Sequence, residues 1–230
     1  MSTMNIPMPR EQLERVVRQV VRERFAAALA AGQQQMSIAY EPNLVVNISA
    51  RHMHICRQHL DTLFGPGAEL TVYRWLYQPG EFAAEQTVTI IGPRRRIIDN
   101  VRILGPIRDY SQVELSLTDS VALGVDVPVR PSGKIDGTPG CVVMGPKGVI
   151  ELPRGVIRAE RHVHMNPADA KAYSFADRQY VRLRVYSDCA TTFEKVLVRV
   201  SPNVLLEVHV DTDEGNACNL VNAEGVELMA

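Results

Sequence analysis

The chain has 230 residues, 46% hydrophobic and 22% charged, enough for one large domain or two small ones with separate cores. A formal net charge of −1 gives no general reason to bind nucleic acid or an anionic membrane. No apolar run approaches the ~18–20 residues that span a bilayer, and the N-terminus lacks the apolar stretch of a secretory signal.

Between residues 10 and 31, Leu13, Val16, Val17, Val20, Val21, Phe25 and Leu29 recur at three- and four-residue steps, which predicts one apolar stripe on an Arg/Glu-rich helix. Gly32 ends it, and the polar run 33–37 reads as a linker. Residues 1–36 are therefore expected to form an amphipathic targeting helix and linker, detachable from the fold behind it. After Pro42 the texture changes to short β segments punctuated by Gly and Pro. A strand over 44–48 is followed by a predicted hairpin, 88–91 and 97–104, around Gly92-Pro93-Arg94-Arg95-Arg96. The three arginines at its tip read as a solvated turn. Segments 142–144 and 149–152 repeat the device, and 181–186, 193–200 and 205–210 are further predicted strands. Short helices are expected over 56–63 and 166–173, the second with Asn166 as N-cap, Pro167 at N1 and Asp169 at N3. Cys56, Cys141, Cys189 and Cys218 form no C-x-x-C pair and read as reduced thiols.

One short stretch occurs twice, as Arg51-His52-Met53-His54 and Arg161-His162-Val163-His164. Four of the six histidines lie in these two copies. On a strand, His-x-His points both imidazoles to one face, because side chains repeat with period two. Each copy is followed by a short helix and an apolar strand, and each closes on a similar late segment, 113–119 and 208–213, both read as strands. Superposing those segments sets Glu114 opposite His209. Each copy then carries three candidate metal ligands: His52, His54 and Glu114; His162, His164 and His209. Three protein ligands with an open fourth position suit a catalytic Zn²⁺, and Co²⁺, Mn²⁺ and Fe²⁺ accept the same donors. Asp211 shares the strand parity of His209 and is expected to hydrogen-bond behind it. Cys56 shares the parity of His52 and His54 but falls where the second copy places its cap, Asn166, and is read as a cap.

The runs Ser49-Ala-Arg-His-Met-His54, Leu76-Tyr-Gln-Pro-Gly-Glu-Phe-Ala83, Val101 to Glu114, Arg161 to Asp169 and His209 to Ala217 resemble the PduL-type phosphate propanoyltransferases (phosphotransacylases) of bacterial microcompartments. The resemblance covers residues 44–220, with departures at Tyr77, Cys56, Gly215 and Cys218 that touch no proposed ligand. It implies a mainly β fold of two small β-barrels with short capping helices, preceded by the amphipathic helix. Residues 37–50 would add a strand to the C-terminal barrel. Residues 51–154 would form the first barrel, with an insert at 65–86 over the active site, and residues 155–222 the second. It implies a zinc at each ligand set, the first meeting the sulfur of coenzyme A, and Arg108 as the catalytic, phosphate-binding arginine. The reaction implied interconverts a short acyl-CoA plus phosphate with acyl phosphate plus free CoA. A zinc at the sulfur would stabilise the leaving thiolate. A homodimer in the bacterial cytoplasm is implied, inside a microcompartment, with shell or cargo proteins bound through residues 10–31. Two other readings share the ligand logic: a zinc-dependent thioester or phosphoester hydrolase, and a non-enzymatic microcompartment-associated zinc protein.

Overall fold

The structure is a computed structural model that describes Tyr40 and residues 42–230. The expected helix over 10–31 and its linker lie outside the described residues. None of the described helices is long and apolar enough to cross a membrane.

The described residues are mainly β, in two curled half-barrel sheets. With strands numbered in chain order, the nine-stranded sheet runs β7 (Val129–Arg130), β10 (Val156–Ala159), β6 (Gln112–Glu114), β2 (His52–His54), β5 (Ile97–Gly105), β4 (Phe82–Ile91), β8 (Cys141–Met144) and β9 (Val149–Leu152), with β3 (Val72–Trp75) paired to β4. The six-stranded sheet runs β1 (Val45–Ser49), β14 (Glu207–Asp211), β11 (His162–Met165), β13 (Thr191–Val200), β12 (Tyr180–Tyr186) and β15 (Gly225–Met229).

The internal duplication is visible in the strand registers. β2 pairs antiparallel with β6, setting His52 opposite Glu114 and Met53 opposite Val113. β11 pairs antiparallel with β14, setting His162 opposite His209 and Val163 opposite Val208. In each copy the His-x-His strand also pairs parallel with a long strand, β5 in the first and β13 in the second. The strand leading into each His-x-His crosses to the other sheet: β1 lies parallel to β14, and β10 lies parallel to β6. Two residues, Ala50-Arg51 in one copy and Glu160-Arg161 in the other, separate the crossing strand from the ligand strand. The two sheets thus exchange a strand, β1 lying in the six-stranded sheet and β10 in the nine-stranded one.

Period two sends alternate residues to a core. Met53 and Val113 are fully buried with Ile103, Leu60, Ile90 and Val156 in one apolar cluster, whereas Val163 and Val208 lie with Met165, Leu183 and Val198 in another. The crossing strands contribute to the sheet they join: Val156 of β10 belongs to the first cluster, and Val46 and Ile48 of β1 pack against the second. Fully burying a Val or Ile contributes about 1.5–3 kcal/mol, so Val156 and Ile157 hold the β10 crossing by several kcal/mol as well as by its ladder, while the half-buried Val46 and Ile48 add less at β1.

Among the described residues there are four α-helices, α1 (Arg57–Phe64), α2 (Leu117–Leu123), α3 (Pro167–Tyr173) and α4 (Thr212–Ala217). α3 begins as expected, with a capping box between Asn166 and Asp169. At α1 the Cys56 side chain makes no capping bond, and the backbone N–H of Cys56 donates to Ser111 Oγ at 3.0 Å instead. The late segments correct the sequence reading. Their strands end at Glu114 and Asp211, and helices α2 and α4 follow, because Ser116 caps Asp119 N and Asp211 forms a capping box with Glu214. On α4, a Cβ at Gly215 would come within 2.5 Å of Ile48 Cδ1 and Cγ1, so glycine at this position leaves room for the crossing strand.

Candidate metal and substrate site

Each ligand set is assembled by three short facts of chain geometry. Period two places His52 and His54, and likewise His162 and His164, on one face. The antiparallel register brings Glu114 beside His52 and His209 beside His162. The backbone then fixes a proton. His52 Nδ1 lies 2.8 Å from Ala50 O, and His162 Nδ1 lies 2.8 Å from Glu160 O. A carbonyl oxygen only accepts, so each Nδ1 carries the hydrogen and each Nε2 presents a lone pair.

In both groups the donor atoms lie within 4.8 Å of one another. His52 Nε2 is 3.2 Å from His54 Nε2 and 3.5 Å from Glu114 Oε2, and His54 Nε2 is 3.6 Å from Glu114 Oε1. In the other set the His162 ring stacks on His209 at 4.9 Å between centroids, with His164 edge-on to both. Burial lowers His54 to about 4, and burial with the neighbouring His209 lowers His162 and His164 to about 3. Burial alone would raise the Glu114 carboxyl, but the facing His52 and His54 outweigh it and hold Glu114 below the usual carboxylate range. Imidazoles whose inward nitrogens turn lone pairs towards one another offer donors to a cation between them. His209 Nε2 is buried with no hydrogen-bond partner, and the Glu207 carboxylate 3.2 Å away does not meet it in hydrogen-bonding geometry. Both sets fit a divalent metal.

One cavity of about 790 Å³ is lined by both sets. Arg108 also lines it, held by its backbone N–H to Ile55 O at 2.9 Å. Its guanidinium is loosely tied, 3.5 Å from Ser132 Oγ and 3.8 Å from Glu81 Oε1. Among the described residues no cysteine lines the cavity. Asp211 stands apart from the expectation for it: it accepts from Arg158 Nε at 2.7 Å and from Glu214 N at 2.8 Å, because its position caps α4. The group behind His209 is Ser49 on the crossing strand β1, whose Oγ is 3.1 Å from His209 Nδ1.

Two buried residues escaped the sequence reading. Gln78, on the connection between β3 and β4, donates to Leu205 O at 3.0 Å and to Glu207 Oε2 at 2.6 Å, and accepts from Leu205 N at 3.1 Å. Glu207 also accepts from Asn47 Nδ2 at 2.6 Å. Glu207 faces His164 across the β11–β14 pair as Gln112 faces His54 across β2–β6. Gln112 is wholly buried and donates to Glu114 Oε1 at 2.6 Å and to Ser132 Oγ at 2.9 Å. The position two residues before the third donor thus holds an outer polar group in both copies. Strand parity with His209 was the available signal for Glu207.

A family model described as phosphate propanoyltransferase matches residues 45–221. The chain is 53% identical over 222 residues to the phosphate propanoyltransferase of Planctopirus limnophila, covering 96% of this chain and 91% of the relative. It is 51% identical over 190 residues to that of Thermotoga maritima, with 82% and 90% coverage, and 39% identical over 222 residues to that of Rhodopseudomonas palustris, with 96% and 98%. These matches overturn the non-enzymatic reading, since they span the crossing strand, both ligand sets and the cavity. The chain belongs to the phosphate propanoyltransferase family and is an acyltransferase.

Proposed function

We propose that the chain is a zinc-dependent phosphate acyltransferase that interconverts propanoyl-CoA or acetyl-CoA plus phosphate with the acyl phosphate plus CoA. The observation that carries this reading is that two three-donor sets and Arg108 face one cavity without a thiol beside them. A phosphate oxygen attacks the thioester carbonyl carbon directly, the C–S bond breaks, and CoA leaves as its thiolate. No acyl-enzyme is needed, and no cysteine is set up to form one.

His52, His54 and Glu114 would hold one zinc and His162, His164 and His209 the other. Bound there, two zinc ions supply Lewis-acid stabilisation of thiolate and oxyanion charge. The chain's own residues do the rest. Arg108 offers a planar fork matched to two phosphate oxygens, and its weak protein contacts leave that fork available. Ala50 O and Glu160 O keep the Nδ1 protons in place, so the inward nitrogens stay donors of electron pairs. Gln78 ties the connection that follows Trp75 and carries Tyr77, both lining the cavity, to the second sheet. Release of CoA from propanoyl-CoA, followed with and without inorganic phosphate, tests the reading. Release is expected only with phosphate, and phosphate-independent release would identify a hydrolase.

We also propose that the enzyme works as a homodimer in the bacterial cytoplasm, inside a microcompartment. Residues 10–31 would bind a shell or cargo protein through their valine-rich stripe, a mode in which an amphipathic helix lies in an apolar groove.

A further inference from the structure

Arg108 is not the cavity arginine with the fewest ties. Arg199 lies on β13, directly paired with His164 of the neighbouring parallel strand β11, and lines the same cavity. It is half-buried, and among the described residues its guanidinium has no hydrogen bond and no ion pair. Of the other arginines of the cavity wall, Arg51 donates to Asp119, Arg102 to Ala84 O and Arg108 to Ser132, while Arg74, also without an acceptor among the described residues, is exposed to solvent where Arg199 is not. The charges acting on Arg199 include two repelling cations, Arg178 and Arg108, and two carboxylates, Glu114 and Glu81. A desolvated cation facing a second cation is costly unless an anion with several oxygens meets both.

The duplicated frame sharpens the point. In the first copy β2 and β5 pair His52 with Arg102 and Met53 with Ile103, so Leu104 follows in line with His54. In the second copy the residue at that place beside His164 is Arg199. Leu104 and Arg199 both line the cavity. The repeat thus presents an apolar side chain beside one donor set and a free guanidinium beside the other, which gives the cavity two chemically different ends.

We propose that Arg199 is a second substrate-binding arginine, gripping the attacking phosphate together with Arg108 at the end of the cavity formed by His162, His164 and His209. The inference rests on the phosphate acyltransferase reading and deepens it. The five donors of Arg199 suit a dianion that already offers two oxygens to Arg108.

The test measures CoA release from propanoyl-CoA by the metal-loaded full chain and by Arg199→Gln and Arg199→Lys, varying phosphate and propanoyl-CoA separately. Calorimetric binding of inorganic phosphate and metal content are read on the same samples. Arg199→Gln is expected to raise the phosphate KM and Kd on the order of 10–100-fold, with metal content unchanged and the propanoyl-CoA KM within about twofold. Arg199→Lys should show the same split at smaller size, and it decides the matter if Arg199→Gln does not fold. Unchanged phosphate KM and Kd in the folded variants would overturn the assignment. So would a rise confined to the propanoyl-CoA KM, which would place Arg199 on the phosphates of CoA. If the wild type itself releases CoA without phosphate, the underlying reading fails, an outcome distinct from either.

Discussion

The proton on one ring nitrogen decides what a histidine pair can do. His52 and His162 each give their Nδ1 hydrogen to the carbonyl two residues earlier, which leaves Nε2 to face its neighbours. The six donors were legible in the sequence because two local rules, strand parity and the internal repeat, reach all of them. Gln78, Glu207 and Arg199 were not. Glu207 shares the strand parity of His209, but its partner Gln78 lies 129 positions away and Arg199 matters only through the strand beside it, so no local pattern marks those two. At this scale, Arg108→Ala is expected to lower kcat/KM for phosphate by about 2–4 kcal/mol of transition-state stabilisation, or roughly 30–1000-fold. Arg108→Lys should lie between it and the wild type, since lysine keeps the charge but not the fork. Steady-state kinetics with phosphate varied would show this, and a wild-type phosphate dependence in Arg108→Ala would make the residue structural. A second expectation concerns the thiols. Burial pushes Cys141 up to about 12, whereas Cys189 is exposed. A maleimide at neutral pH should label Cys189 in the folded protein and Cys141 only after denaturation, as mass spectrometry of the peptides would reveal.

At the scale of elements, the crossing strands set the site. Because β1 joins the second sheet, Asn47 reaches Glu207 and Ser49 reaches His209. Because β10 joins the first, Arg158 reaches back to Asp211 at 2.7 Å and Glu214 at 3.2 Å. Both carboxylates belong to the capping box of α4, so one arginine ties a strand of the nine-stranded sheet to the helix that ends the second ligand strand. Asp211 is buried, and removing its cation leaves a carboxylate without a charged partner. Arg158→Ala should therefore cost about 3 kcal/mol of stability and lower the thermal midpoint by roughly 6–12 °C. A midpoint unchanged within error would mean the pairs are solvated and contribute little. The hairpin of β4 and β5, the hairpin of β8 and β9, and the cap of α3 were all legible, since turn and cap residues act over a few positions. The late segments were misread because Ser116-x-x-Asp119 and Asp211-x-x-Glu214 continue an alternating pattern while capping a helix. The apolar strand expected over 69–73, after the first His-x-His and its helix, overlaps β3 at Val72–Trp75, which is exposed at every residue.

For the whole molecule, the mainly β class followed from the punctuation of the chain by Gly and Pro. The exchange of β1 and β10 comes from pairings between distant segments. The proposed targeting role of residues 1–36 makes a separable expectation: deleting them should leave turnover within about twofold and abolish co-purification with shell proteins, because an apolar stripe used for docking is not part of the fold behind the linker. A deletion variant that is inactive or unfolded would assign the segment to the core. In the proposed enzyme, two copies of one ligand frame build two metal centres on a single cavity. The direct measurement strips the full chain with a chelator and titrates zinc back, following bound metal and phosphate-dependent CoA release together. Binding is expected to saturate at two zinc ions per chain, with full activity only as the second is filled, and the His162→Ala, His164→Ala double variant should bind one and stay inactive. Full activity in the stripped protein, or saturation at one zinc per chain or fewer in an active sample, would rule out two catalytic zinc centres.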